Sequence, residues 1–342
     1  MMRKHIWQKV LAISLIVILS LTLVGCGDNS AKNIEDYPTK SITVMVGFNP
    51  GGGVDTAVRG IQPYLQKYIG KTVLVENKPG NQGLIAMNYV GEQKPDGYTL
   101  IATTNAMSLN AMIFPESYKL KAAPEEALIP IYSWVNGDGN GIFVSQESAI
   151  KTWDDLVAKA QTEEGIKIAG SGIGSTDHIT AITLTKIYGG KWTFVPMDSA
   201  GEVASAVLGG QVDAGSSSPG AASLDPSRVN MLAVTLKERA EKWPDAPTFI
   251  ELGKPELYIL FVIGLMAPAG TPPEIIAKLE DAMDQARNDQ AFIDWAENAK
   301  QPIGKEGWKA ETYKSYLTDY QSNMKALVPD IQEALKAAQG GQ

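Results

Sequence analysis

Two glycine-rich stretches hold the residue types best suited to grip an anion: Phe48-Asn-Pro-Gly-Gly-Gly-Val-Asp55 and Gly170-Ser-Gly-Ile-Gly-Ser-Thr-Asp-His178. Glycines let backbone N–H groups approach a ligand closely, and a helix starting behind the loop adds partial positive charge. Two such loops facing across a cleft would hold a carboxylate-bearing molecule. Neither is a nucleotide motif. The first lacks the lysine of a phosphate-binding P-loop, and the second lacks the G-x-G-x-x-G spacing. Either loop can equally be a structural turn, because tight turns use the positive φ that glycine allows. Asp55 has two readings as well, stabilising the first turn of its own helix or meeting a ligand. His178 is either a satisfied structural histidine or a ligand contact. A hydrolase would have to pair His178 with Ser171, Ser175 or Ser199, and no G-x-S-x-G elbow is present.

The single cysteine, Cys26, closes Leu23-Val-Gly-Cys26 behind a basic start (Arg3, Lys4, Lys9) and an apolar run from Val10 to Val24. That is the layout of an export signal. Its last four residues look like a bacterial lipobox, cleaved just before the cysteine and acylated on the thiol. The run is also short of the roughly 20 residues a spanning helix needs. Residues 1–25 are therefore expected to be a lipoprotein signal peptide and 26–37 a lipid-anchored flexible tether. Loss of residues 1–25 removes Arg3, Lys4, Lys9 and no acid, taking the formal charge from −8 to −11. That argues against nucleic acid as a partner and against general attraction to anionic lipid. An acylated Cys26 leaves no thiol for a disulfide, a nucleophile or a metal site, and with His5 gone His178 is the one histidine. No metal and no cofactor are expected, and no carboxylate pair is spaced for acid–base work.

The elements that must position these loops follow from hydrophobic periodicity. Ser41–Gly47 is a short apolar strand, and the helix after it carries Ala57, Val58, Ile61, Leu65, Tyr68 and Ile69 on the 3.6-residue period, with Pro63 predicting a kink. A strand over Thr72–Glu76, a helix to about Glu92 and a strand over Tyr98–Thr103 continue the alternation, which predicts an α/β domain with a largely parallel sheet. Beyond a Gly-rich patch (Asn136–Gly141), a second block has strands at Ile142–Ser145, Ile166–Ala169, Trp192–Val195 and Gln211–Gly215. Thr152 opens a helix there, and Ser199-Ala-Gly-Glu202 is a capping-box pattern opening another. Leu257–Ala267 reads as a buried strand returning to the first domain, and Thr271-Pro-Pro-Glu274 as a helix cap. The rest is mainly helical, with Trp295, Trp308, Tyr313, Tyr316 and Tyr320 as packing residues.

Taken together, the motifs resemble a known family. Val46–Arg59, Val75–Gly83, Lys94-Pro-Asp-Gly-Tyr-Thr-Leu100, Gly170–His178 and Leu208-Gly-Gly-Gln-Val-Asp213 occur in the order seen in Bug-type extracytoplasmic solute receptors, the substrate-binding proteins of tripartite tricarboxylate transporters. Leu232-Ala-Val-Thr, Trp243-Pro-Asp-Ala-Pro-Thr248 and Ala267-Pro-Ala-Gly-Thr-Pro272 extend the match over nearly the whole chain after the signal. The resemblance implies the two-domain type II periplasmic-binding-protein fold with a ligand cleft between the domains. The expected division is 38–138 with 256–342 as one domain and 139–255 as the other, with hinge crossings near 136–141 and 255–262.

By the same resemblance, Phe48, Asn49, Pro50, Gly51, Gly52, Gly53, Val54 and Asp55 form the first jaw. Ser171, Gly172, Ile173, Gly174, Ser175 and Thr176, with His178, form the second. Asn81, Gln82, Thr104, Asn105, Met197 and Asp198 are wall candidates. Lys78 stands where arginine is usual, Asn81-Gln82 replace a small Ala-Gly pair, and Val195-Pro-Met-Asp-Ser-Ala-Gly201 replaces Val-Pro-aromatic-Lys-Gly. The implied function is a monomeric, lipid-anchored receptor outside the cytoplasm that closes on a small organic carboxylate (mono-, di- or tricarboxylate, aliphatic or aromatic) and hands it to a membrane permease. The alternatives are a sensor that feeds a membrane signalling kinase and, behind it, the exported hydrolase.

Overall fold

The computed structural model describes residues 36–172, 175–221, 223–299 and 301–340. The signal, Cys26, Ile173 and Gly174 lie outside the described residues. Lys40 onward forms one unit. Its strands are β1 (Ile42–Val46), β2 (Val73–Asn77), β3 (Thr99–Thr104), β4 (Leu128–Gly139), β5 (Gly141–Ser145), β6 (Ile166–Ser171), β7 (Trp192–Met197), β8 (Ala214–Ser217), β9 (Val229–Val234), β10 (Leu260–Pro268) and β11 (Trp308–Lys309). Its helices are α1 (Gly53–Ile69), α2 (Leu84–Gly91), α3 (Asn105–Ile113), α4 (Pro124–Ala127), α5 (Trp153–Ala160), α6 (Thr176–Tyr188), α7 (Ala200–Leu208), α8 (Pro273–Arg287), α9 (Gln290–Asn298), α10 (Ala310–Lys325) and α11 (Val328–Gly340).

The strands make two sheets of matching plan, β11-β4-β10-β3-β1-β2 and β7-β6-β8-β5-β9. In the first, β1 pairs in parallel with β2 and β3, and β10 runs antiparallel to β3 and β4. In the second, β6 pairs in parallel with β7 and β8, and β5 runs antiparallel to β8 and β9. β1 and β6 are thus equivalent, and each is followed by one of the glycine loops. In each sheet the antiparallel strand is the one the chain enters after leaving the other sheet. The central strands are apolar and buried along nearly their whole length, as parallel strands covered on both faces must be. α1 buries Val54, Ala57, Val58, Ile61 and Leu65 and packs on α8, while α10 lies over β4 with Tyr313, Tyr316 and Tyr320 buried as expected.

Four expectations are corrected. The Gly-rich patch is the end of β4, a strand through Pro130 that bulges repeatedly against β10. β8 begins at Ala214, later than the apolar pattern around Gln211–Gly215 predicts, because Gln211 to Asp213 turn off the helix end. α1 continues through Pro63 without a break. Thr271 does not cap α8: its hydroxyl donates to the Pro268 carbonyl, and Pro272 takes the N-cap position. By contrast Thr152 and Asp155 form the full capping box, and Ser199 caps the Glu202 N–H.

The chain passes from sheet to sheet twice, at Asn140 between β4 and β5 and between β9 and β10. Thr235 ties the two passages together. Its Oγ1 accepts the Asn140 N–H at 2.7 Å and donates to the Ile259 carbonyl at 2.7 Å, while its N–H donates to the Asn140 carbonyl at 2.7 Å. Gly139 is required here, because a Cβ would sit 2.6 Å from Thr235 Oγ1 and 2.9 Å from the Ile259 carbonyl oxygen. Thr235 is fully buried, so removing its hydroxyl strands one donor and one acceptor away from water. Thr235→Val, which keeps the shape, is expected to cost about 2–3 kcal/mol in urea unfolding; a change below about 0.5 kcal/mol would show that the tie is not structural.

Candidate functional site

Both glycine loops leave the carboxyl ends of parallel strands, with flanking strands on either side, which is where ligands bind in open α/β sheets. In the first loop Asp55 points inward. One carboxylate oxygen accepts the Gly51 N–H at 2.8 Å, the other accepts Asn77 Nδ2 at 2.8 Å, and Arg59 Nε meets both at 3.0 Å. Asn77 also donates to the Phe48 carbonyl at 3.0 Å, which fixes the loop from its other end. Burial opposes the charge on Asp55, but Arg59, the Gly51 N–H and Asn77 outweigh it and hold the carboxyl below its ordinary range. Asp55 thus ties the loop before α1 to Asn77 and Arg59. Asn49, Pro50, Gly51, Gly52 and Gly53 are exposed, Phe48 is half-buried and Val54 is buried. Gly52 at the N-cap of α1 makes no side-chain cap, and among the described residues no side chain accepts the first-turn amides.

The second loop repeats the device. Asp177, at the start of α6, accepts the Ser171 N–H at 2.9 Å, the Ser171 hydroxyl, and the Ser216 hydroxyl at 2.8 Å. Burial pushes its pKa up against these bonds. Gly172 has φ +53° and donates its N–H to the Met197 carbonyl at 3.1 Å, tying the loop to β7. Ser175 caps the His178 N–H and donates its hydroxyl to the Gly172 carbonyl at 2.9 Å. The hydroxyl protons of Ser171 and Ser175 thus go to acceptors other than the imidazole. Ser171, Gly172, Ser175 and Thr176 remain half-buried, whereas His178 is buried with its ring centre 4.7 Å from that of Phe194.

The wall candidates divide. Asn81 and Gln82 are exposed beside the first loop and both have left-handed backbone, φ 46° and 55°; two consecutive non-glycine residues in that region store strain. Met197, half-buried, ends β7, and Asp198, exposed, follows it. Thr104 and Asn105 are buried and spent on structure. Thr104 caps α3, while Asn105 donates to the Leu260 carbonyl at 2.9 Å and accepts the Val262 N–H at 3.2 Å.

One charged residue at this edge escaped the sequence reading. Asp138 pairs with Phe261 across β4 and β10, two residues before the first crossing. Its carboxylate accepts the Gly139 N–H at 3.0 Å and a hydrogen bond from Ser218. Burial pushes its pKa up, those two bonds oppose the shift, and the charge of Asp177 adds to it. Its position inside the Gly-rich patch disguised it as linker. A separate groove of about 700 Å³ is lined by Leu236, Arg239, Tyr258, Lys305, Trp308 and Tyr316 and includes neither loop. Among the described residues no group of three His, Cys, Asp or Glu side chains could hold a metal, and no helix is long and apolar enough to cross a membrane.

The model of the tripartite tricarboxylate transporter family receptor matches residues 57–332. The chain belongs to that family. This receptor is 26% identical over 286 residues to protein BugT of Bordetella pertussis, covering 82% of this chain and 86% of that one. The solved structure of a solute-binding protein of the same family from Polaromonas, without ligand, matches with TM-score 0.74 at 26% identity, over 86% of this chain and 99% of that one. MatC of Rhodopseudomonas palustris, solved with bound malate, has the same fold, with TM-score 0.63 at 24% identity over 85% of this chain and all (100%) of that one. The receptor thus has the two-sheet α/β fold of periplasmic solute-binding proteins.

Burial pushes the His178 imidazole below its ordinary range. The folded receptor therefore favours the neutral ring, and that contribution is complete above about pH 6.5 and lost as pH falls from there towards the folded value. The raised carboxyls Asp138 and Asp177 act with the opposite sign, so the comparison must be with a variant. The melting temperature is expected to drop more steeply from pH 7 to pH 5 in the wild type than in His178→Gln. Parallel curves would show that folding leaves the proton affinity of His178 unchanged.

Proposed function

We propose that the receptor is a lipid-anchored extracytoplasmic binding protein that captures a small organic carboxylate by closing two lobes and delivers it to the permease of a tripartite tricarboxylate-type transporter. The lobes divide near residues 138–139 and 255–256, each built on one sheet. The reading rests on one observation above all: the same strand–glycine loop–helix jaw occurs at the equivalent place in two sheets joined by two crossings. Loop amides and the dipoles of α1 and α6 supply the positive potential, and α1 has no side-chain cap to compete for it. Phe48 to Val54 form one jaw and Ser171 to Thr176 the other, with Asn81, Gln82, Met197 and Asp198 as walls. A ligand touching both jaws makes more contacts in the closed form and so selects it. The malate in MatC supports a carboxylate as the cargo class. A net negative chain is compatible with this, because the local dipoles and N–H groups act at contact distance while distant charges are screened.

The test is a thermal-shift screen of the full chain in detergent against mono-, di- and tricarboxylates. A ligand at about 100 times its Kd adds about 2.7 kcal/mol, a shift of several degrees. In Gly172→Val, a β-branched residue is forced to positive φ, which should weaken that ligand at least about a hundredfold, about 2.8 kcal/mol, while lowering apo stability by only about 1–2 kcal/mol. Silence across all carboxylates, or a binding loss no larger than the stability loss, would defeat the clamp. For the anchor, expressing cells should incorporate labelled palmitate into the wild type and not into Cys26→Ser; equal labelling would place the lipid elsewhere or abolish the assignment.

A further inference from the structure

The charges around the two jaws do not suit a plain polycarboxylate. At the edge where β1, β3, β6 and β8 end, the flanking segments hold Asp55, Asp138, Asp177, Asp198 and Glu202 against the cations Arg59 and Lys78. Lys78 lies over the Tyr89 ring at 4.6 Å. Asp55 is neutralised by Arg59 and Asp177 is buried under two serine hydroxyls and an N–H. Glu202 accepts the Asp198 N–H at the α7 cap.

Asp138 is different. It is half-buried rather than sealed, and no lysine or arginine among the described residues pairs with it. Register places it at the jaws: β10 pairs Ile263 with Thr104 at the end of β3, and Phe261, two residues nearer the crossing, with Asp138. Across the crossing, Gly141 pairs with Ser217, next to the Ser218 that bonds Asp138. The residue thus stands between the two loops, at the point the lobes share. A partly desolvated carboxylate without a counter-charge is costly. It would repel a second ligand carboxylate and would form a charge-assisted hydrogen bond with a ligand ammonium.

We infer that Asp138 selects an amino-carboxylate: the loop amides hold the ligand's carboxylate, and Asp138 accepts N–H bonds from a protonated amine on the same molecule. This rests on the clamp reading above and goes further in fixing the charge of the ligand's other end. Arg59, a cation that could instead hold a second ligand carboxylate, is committed to Asp55 and Asn77.

Isothermal titration of the full chain with two matched pairs, succinate against aspartate and glutarate against glutamate, tests it. The wild type should bind one amino member at least about tenfold tighter than its parent diacid. Asp138→Asn should weaken the amino member, tighten the diacid and collapse the ratio, while raising the melting temperature of the unliganded receptor. The wild-type comparison needs no variant. A diacid bound as tightly as its amino partner, or a diacid that tightens as pH falls because Asp138 donates to it as a neutral acid, overturns the inference and leaves the clamp standing. An amine preference that survives Asp138→Asn also overturns it. Binding of neither pair, together with silence across the carboxylate screen, overturns both.

Discussion

A carboxylate just inside a helix reaches back to the N–H of the loop before it, once at Asp55 and once at Asp177, and the shape of both jaws depends on that contact. A loop that must present its amides to a ligand cannot also fold them into a sheet or a helix. Something else has to hold it open. Here the aspartate takes one N–H of the loop, at Gly51 and at Ser171, while Ser175 takes the His178 N–H of the second helix. The support differs between the two: Arg59 charge-balances Asp55 and Asn77 donates to it, whereas Asp177 has only hydroxyls and an N–H. The first carboxyl is accordingly held low and the second pushed up by burial.

The same logic extends to the crossings. If the lobes move, they must do so without tearing the two chain passages apart, and Thr235 binds both at hydrogen-bond distance in a fully buried setting. Away from that tie the same two parts of the chain also meet through the ion pairs Lys186–Asp330 at 2.8 Å and Lys305–Glu238 at 2.7 Å. To move a two-state equilibrium from 1:99 to 99:1, ligand contacts would have to favour one state by about 5.5 kcal/mol.

Much of this was legible in the sequence where periodicity changes sharply. The step from the apolar run Ile42–Val46 through glycines to the 3.6-residue pattern of Ala57, Val58, Ile61 and Leu65 announces strand, loop and helix, and Ile166–His178 repeats it. Thr152 and Asp155 announced their helix start by chemistry alone. What escaped did so for physical reasons. Pro130 and the glycines near 137–141 look like linker, yet bulges and a close backbone approach let them serve as a strand end and a crossing. Asn105 reads as a polar wall residue, but both ends of its amide are consumed by β10, a partner 155 residues away in the chain. The left-handed backbone of Gln82 follows from the tertiary fold, not from its local sequence, and Asp138 gains its importance only when Ser218 and Asp177 are brought beside it.

The measurement that bears most directly on the account is a crystal structure of the receptor with its tightest-binding carboxylate. The account predicts one ligand carboxylate within about 3 Å of backbone N–H groups from both the Gly51–Asp55 and the Ser171–Asp177 segments, in a molecule more closed than the unliganded one. A ligand held by one lobe alone, or seated in the groove beside Trp308 and Tyr316, would contradict it.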